Sequence, residues 1–360
     1  MKSKKEYRVY FNRWFSVAYH YMNSIRSNED GLSFRLYGTH PDPRHMALQA
    51  ADYATTEPVL QGDEYVQWLV DFCKEHEIDV FIPRLRMLDI ARNIELFDGI
   101  GTKVTVCRDV DLLEKISIKD KFYEEIRESG IMEVPAYEVV TDAAGFKQAY
   151  ERLLAEGHRV CFKPTDSEGG LGFRIVNDQR DALRDLFGYV TNELTFAEAH
   201  SILSQADSFP SMMVMELLEG PEYSIDCIAD GQGNLHAAIP RRKADGRLRV
   251  LEHNEELLAI AQRVAEAYRI PYNFNIQMRY SNGVPKLLEI NPRMSGGLHA
   301  TCLTGINFPY LGVKAALGQP IGELKPAYNM MTSHIELAMR METFEADRAR
   351  EAQLAGERSH

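Results

Sequence analysis

The segment that most constrains this chain is Leu287-Leu288-Glu289-Ile290-Asn291-Pro292-Arg293. A short apolar run carries a carboxylate, a carboxamide and a guanidinium, each two residues from the next. In a strand, alternate side chains share a face, so Glu289 and Asn291 project to one side and Leu288 and Ile290 to the other. Pro292 has no N–H for the ladder and ends the strand. Arg293 begins the next segment.

The preceding segment, Tyr272 to Arg279, alternates as well. Tyr272, Phe274, Ile276 and Met278 form an apolar face, and Asn273, Asn275, Gln277 and Arg279 a polar one. Ser281-Asn282-Gly283 is turn chemistry, so the two segments form a hairpin. With the turn centred on Gly283, Gln277 lies opposite Glu289 and Asn275 opposite Asn291. An acidic oxygen, amide oxygens and a cation on one strand end suit Mg²⁺ and phosphates, because Mg²⁺ takes oxygen ligands and keeps substrate phosphates among them. An amphipathic hairpin with a solvated polar face is the plainer alternative.

A chain of 360 residues exceeds one ordinary core, so two or three domains are expected. The net charge of −12 argues against a general nucleic-acid or membrane-surface binder, so local cations must hold any anionic ligand. Cys73, Cys107, Cys161, Cys227 and Cys302 are odd in number and form no C-x-x-C, so neither a disulfide framework nor a zinc site is indicated. No signal-peptide core is read, and no run reaches the ~18 apolar residues of a membrane span. A cytoplasmic protein is expected.

Residues 1–115 alternate strand and helix patterns, which implies an open, mostly parallel sheet. Strands are predicted at 7–11, 34–37, 79–83 and 103–107, with helices at 64–76 and 87–97. No G-x-G-x-x-G follows the first strand, so dinucleotide binding is poorly supported. Ligands of such sheets lie at the carboxyl ends of strands, which makes Asn12, Arg13, His40, Pro83 and Arg84 substrate-site candidates. Each also reads as an ordinary loop residue. Residues 116–205 form a second unit: helices at 118–129 and 146–156, strands at 136–140, 159–164 and 172–176, and a largely helical stretch over 181–205. From 206 to 342, strands at 212–218, 223–229 and 235–240 and the hairpin dominate, with helices at 254–268 and 307–317. The tail, 343–360, is charged and Ala-rich and suits a solvent-facing helix.

A second motif runs from Phe162 to Phe173. A lysine-bearing strand, with Lys163, enters a loop with Gly169, Gly170 and Gly172. Glycines admit positive φ and close backbone approach, and successive N–H groups then make an anion-binding concavity. The loop lacks the G-K-[ST] ending of a Walker A motif. A mobile hairpin tip is the alternative. Lys121, in Ile118 to Phe122, reads alone as a surface lysine. A third motif, Met213 to Asp226, turns at Gly220-Pro221 between strands. Its backbone can meet an adenine edge and its carboxylates a ribose; a plain turn is the alternative.

In this order the motifs resemble the ATP-grasp superfamily, nearest to its carbamoyl-phosphate-synthase-like and biotin-carboxylase-like carboxylate–amine ligases, over about residues 110–320. The resemblance implies an α/β and α+β chain: an N-terminal Rossmann-like pre-ATP-grasp sheet, then two α+β subdomains clamping ATP. It implies that Lys121 and Lys163 contact nucleotide phosphates and that Gly169, Gly170 and Gly172 belong to a lid. Glu216 and the backbone of Leu217 and Leu218 would hold adenine, and Glu219 or Glu222 the ribose. Gln277, Glu289 and Asn291 would hold Mg²⁺ or Mn²⁺, and Arg293 would stabilise the transferring phosphoryl group. Phosphoryl transfer is mostly positioning and charge neutralisation, which these groups supply. The lid departs from the family in its acidic Asp166-Ser167-Glu168 and in Leu171.

Arg241-Arg242-Lys243, placed after the strand ending at Pro240, suits an anionic substrate or the γ-phosphate, or equally a charged loop. Ser295-Gly296-Gly297-Leu298-His299 suits an acceptor pocket, and His299 a base or a structural histidine. The activity implied is ATP-driven joining of a small carboxylate to a small amine, in a possible homodimer by base rate. A kinase-like transferase without an amine step and a catalytically silent nucleotide-binding module are the alternatives.

Overall fold

The computed structural model describes residues 5–166, 170–336, 338, 339 and 341, so the charged tail lies outside the described residues. Sixteen strands among them form three sheets. The first is parallel throughout, with strand order β3-β2-β1-β4-β5: β1 (Glu6–Asn12), β2 (Ser33–His40), β3 (Tyr53–Thr56), β4 (Val80–Ile82) and β5 (Lys103–Val104). The chain leaves β1 toward β2 and β3, then returns to its other side for β4 and β5, so the winding reverses between β1 and β4.

The second sheet runs β6-β10-β7-β8-β9: β6 (Tyr137–Val140), β10 (Met212–Glu216), β7 (Val160–Pro164), β8 (Arg174–Val176) and β9 (Glu193–Leu194). It takes β10 from beyond the expected boundary near residue 205, because β10 pairs antiparallel with both β6 and β7. Helix Ala143–Ala155 covers it with Phe146, Ala149 and Leu153. Phe146 meets Phe162 edge-on at 5.2 Å. Each such ring contributes roughly 1.5–3 kcal/mol by leaving water.

The third sheet runs β15-β14-β11-β12-β13-β16: β15 (Val284–Asn291), β14 (Asn273–Ser281), β11 (Glu222–Ala229), β12 (Leu235–Lys243), β13 (Arg249–Leu251) and β16 (Met330–Thr332). By contacts the chain divides into two compact units, 1–113 with 223–276 and 290–360, and 114–222 with 277–289. Strands β14 and β15 run through both: Gln277 and Glu289 fall in the second unit, Asn291 and Arg293 in the first.

Several expectations are corrected. The helix predicted over 87–97 is two, Met87–Arg92 and Ile94–Gly99. Asn93 breaks it by bonding its side chain back to the Asp89 carbonyl at 3.0 Å, the local competition that keeps Asn out of helix interiors. The stretch 181–205 holds helices Ala182–Phe187 and Phe196–Leu203 with β9 between them. Gly188 stops the first, and a Thr195–Glu198 capping box starts the second. The hairpin turn is the two-residue Asn282-Gly283, both with positive φ (51° and 81°), instead of a turn centred on Gly283. The polar face of β14 is not solvated at its start, where Asn273 and Asn275 are buried. Arg241, Arg242 and Lys243 lie inside β12, not in a loop after it. Helix Ala18–Arg26 and strands β3, β13 and β16 were not legible in the pattern.

Candidate active site

In the second unit, β7 carries Lys163 beside Lys119 and Glu289. Burial first, and the neighbouring Lys119 second, push the Lys163 ammonium down to about 8, with Cys161 and Glu289 opposing. Lys119 opens the helix Lys119–Ser129, and the same helix supplies Tyr123, whose hydroxyl donates to the Leu288 carbonyl at 2.9 Å. That bond fixes β15 next to Glu289. Lys121, the lysine expected on phosphate, is exposed on this helix, and it is Lys119 that faces Lys163 electrostatically. Sequence spacing gave no sign of Lys119, although Lys119-Asp120-Lys121 offered both.

Of the glycine loop, Gly169 lies outside the described residues, while Gly170 and Gly172 have φ of 79° and 75°. A Cβ on Gly172 would stand 2.7 Å from Pro164 Cδ. Only glycine allows this return from β7 into β8.

The connector after β10 is sewn to β14. Gly220 N–H donates to the Tyr280 carbonyl at 2.9 Å, Tyr280 N–H to the Pro221 carbonyl at 3.0 Å, and Arg279 Nε to the Gly220 carbonyl at 3.0 Å. Glu216, expected at adenine, is 2% exposed and accepts from Lys286 Nζ (2.6 Å), Ser281 Oγ (2.7 Å) and Ala136 N–H (3.1 Å). Burial raises its pKa, but these donors outweigh it and hold the carboxyl below its usual range. Leu217 N–H donates to the Arg159 carbonyl at 2.7 Å, and Leu218 is buried. Glu219 pairs with Arg159 at the surface, and Glu222 opens β11.

In the first unit, Asp226 on β11 is the centre of a buried cluster that sequence reading missed. It is 1% exposed and accepts from Asn275 Nδ2 (2.8 Å), Ser295 Oγ (2.6 Å), Thr301 Oγ1 (2.5 Å) and Arg241 (3.2 Å). Arg241 also donates to Thr301 Oγ1 at 3.0 Å and Ser295 Oγ at 3.1 Å. A Cβ on Gly297 would meet this guanidinium at 2.4 Å, so the glycine lets segment 295–301 close over it. Tyr21 donates to the Ser295 carbonyl. Arg242, on the other face of β12, pairs with Glu252. The one sequence signal for Asp226 is an acid inside the apolar run Ile225 to Ala229.

His299 stacks on His20 at 4.9 Å, and His334 lies edge-on at 6.1 Å. Burial first, then His20, His334 and Arg241, push it down to about 4, so its ring is neutral at pH 7. Arg293 NH1 donates to the Met294 carbonyl at 3.1 Å. Among the described residues no three His, Cys, Asp or Glu side chains gather as a metal cluster. The expected donors Gln277, Glu289 and Asn291 offer oxygens alone, the chemistry of Mg²⁺ and Mn²⁺, not of zinc. All five cysteines are free, and no helix among the described residues is long and apolar enough to cross a membrane.

A family model described as "ATP-grasp in the biosynthetic pathway with Ter operon" matches residues 208–338. The chain is 21% identical over 88% of its length to the carbamoyl phosphate synthase arginine-specific large chain of Bacillus subtilis, and spans 29% of that protein. It is 23% identical over 69% of its length to the Clostridium acetobutylicum large chain, and spans 22% of it. Among solved structures, N5-carboxyaminoimidazole ribonucleotide synthetase in complex with ADP superposes with a TM-score of 0.64 at 15% identity, covering 91% of this chain and 81% of that one. The biotin carboxylase domain of Hydrogenobacter thermophilus 2-oxoglutarate carboxylase, with MgADP and bicarbonate, superposes with a TM-score of 0.62 at 16% identity, covering 89% and 71%. The chain thus has the ATP-grasp fold, and its residues 208–338 match an ATP-grasp family model.

Proposed function

We propose that this protein is an ATP- and Mg²⁺-dependent ligase that activates a small carboxylate as an acyl phosphate and joins it to an amine, releasing ADP and phosphate. The observation that carries this reading is Lys163. It is pressed by burial and by Lys119, with Glu289 beside it. A cation so placed gains from a polyanion more than a solvated lysine does. Lys163 and Lys119, with Lys121 at the helix surface, hold the nucleotide phosphates. Gln277, Glu289 and Asn291 hold the metal, which neutralises developing charge on the phosphates when bound. Gly170 and Gly172 let the loop approach the phosphates and exclude water, which would otherwise hydrolyse the acyl phosphate. The backbone at Leu217–Leu218 meets adenine and Glu219 or Glu222 the ribose, while Glu216 holds the connector in place.

Arg293 steadies charge on the transferring group. Arg241 is a positioning residue in this reading: through Ser295, Thr301 and Gly297 it sets the segment after Arg293. The ligase relatives and neighbours support the reaction class. The test is ADP release with Mg²⁺-ATP and pools of small carboxylates and amines, with and without hydroxylamine, which traps acyl phosphates as hydroxamates. ADP with hydroxamate is expected. ADP without hydroxamate would replace the ligase by a kinase-like transferase, and ATP binding without ADP release in any pool by a silent module.

A further inference from the structure

Strands β8 and β9 pair in parallel, so the chain between them must cross over. A crossover helix ordinarily lays its apolar stripe on the sheet. Helix Ala182–Phe187 does the reverse. The apolar face of the sheet is taken up by helices Ala143–Ala155 and Phe196–Leu203, through Phe146, Ala149, Leu153 and Ala199. It is the polar side of Ala182–Phe187 that is anchored. Arg180 donates to Asp185 at 2.5 Å and to Glu198 at 2.8 Å, and the Leu183 N–H donates to Asp181 at 3.0 Å. The Arg180 and Asp185 side chains are only 15% and 13% exposed.

Leu183, Leu186 and Phe187 stand at i, i+3 and i+4 and share the opposite stripe. None of the residues of this helix is buried. Tyr189 and Val190 extend the stripe, and exposure runs from 61% at Leu183 to 96% at Tyr189. A helix this short does not persist in water by propensity alone and depends on packing of its apolar face. The five side chains expose on the order of 800 Å², the share of one partner in a stable interface. Among the described residues none covers them.

Charge and area say what does. Within residues 180–192 the charged groups are Arg180 and Arg184 against Asp181 and Asp185, which sum to zero. No excess charge here recruits an acidic or a basic partner, and none repels a second copy of a chain whose net charge is −12. An apolar stripe is its own complement about a two-fold axis. Two copies together would bury about 1,600 Å², the size of a standard specific interface. We propose that this surface joins two copies of the chain into a homodimer, stripe against stripe, with Phe187 and Tyr189 as the anchors. The interface lies wholly within the second compact unit and does not depend on the ligase reading.

The test is sedimentation equilibrium of the full-length protein without nucleotide, over about 0.1–100 µM. A species of twice the 41.0 kDa chain mass is expected within that range. Phe187→Glu is expected to raise the dimer Kd by about 100-fold or more, and Tyr189→Ser by about ten-fold, both with unchanged circular dichroism. Val59→Glu, which alters a 77% exposed apolar residue in the first unit, leaves the Kd unchanged. A monomer throughout the range would overturn the inference and leave the surface to a different partner. A dimer that survives both Phe187→Glu and Tyr189→Ser, or one lost equally in Val59→Glu, would overturn it by placing the contact elsewhere.

Discussion

Two clusters of charged side chains, one in each compact unit, use similar residues to opposite ends. Around Asp226 every partner is at hand: one guanidinium, two hydroxyls and an amide converge on one carboxylate. Around Lys163 the balance is unfinished: burial and a second lysine work against its charge, and Glu289 offsets them only in part. A closed polar cluster fixes a loop. An open one stores a preference for whatever ion completes it. Charge type alone does not separate these roles, whereas the degree of compensation does.

The contrast can be broken first at Glu289. Glu289→Ala is expected to reduce ATP turnover by about 10³-fold or more, roughly 4 kcal/mol, with little change in urea midpoint. Turnover near wild type would remove Glu289 from the metal site. Next comes the closed cluster. Asp226→Ala leaves Arg241 buried beside hydroxyls alone and is expected to cost about 3–5 kcal/mol of stability, measured by urea unfolding. A loss under about 1 kcal/mol would mean that the cluster is not closed.

Gly172→Ala tests the glycine loop and ranks third in effect. Its φ of 75° and the 2.7 Å approach to Pro164 predict about 1–3 kcal/mol of strain and weaker ADP binding by calorimetry. The smallest effect is in pH. The Lys163 cation is the form that binds phosphate, and it is lost as pH rises through about 8. ADP affinity should therefore fall by a few fold between pH 7 and 9, and Lys163→Met should flatten that slope. An unchanged slope in the variant would assign it to another group.

What was legible in the sequence was local. The β14–β15 hairpin shows because its alternation and its Asn282-Gly283 turn lie within about twenty residues. The lysine-to-glycine stretch around Lys163 shows for the same reason. The Asp226 cluster did not, since its partners stand at positions 241, 275, 295 and 301, and nothing in a linear pattern marks their convergence. Glu216 looked like a ligand contact because the motif places an acid there, yet Lys286, seventy residues on, takes that acid for the frame. The influence of Lys119 on Lys163 was not legible either, because helical phase, which one residue pair cannot settle, decides which lysine of Lys119-Asp120-Lys121 acts on Lys163.

The second compact unit is assembled from two stretches of chain, 114–222 and the hairpin tip 277–289. This makes it unsuitable as a cassette. A gene fragment ending at 222 would carry Glu216 without Lys286 and Ser281, leaving a buried carboxylate with one of its three donors. A fragment starting at 223 would carry the hairpin tip without the 114–222 stretch that completes its compact unit. Any exchange of this unit between related proteins must therefore transplant both stretches together, and a recombination point inside the 223–276 interval separates the two halves of one folding unit.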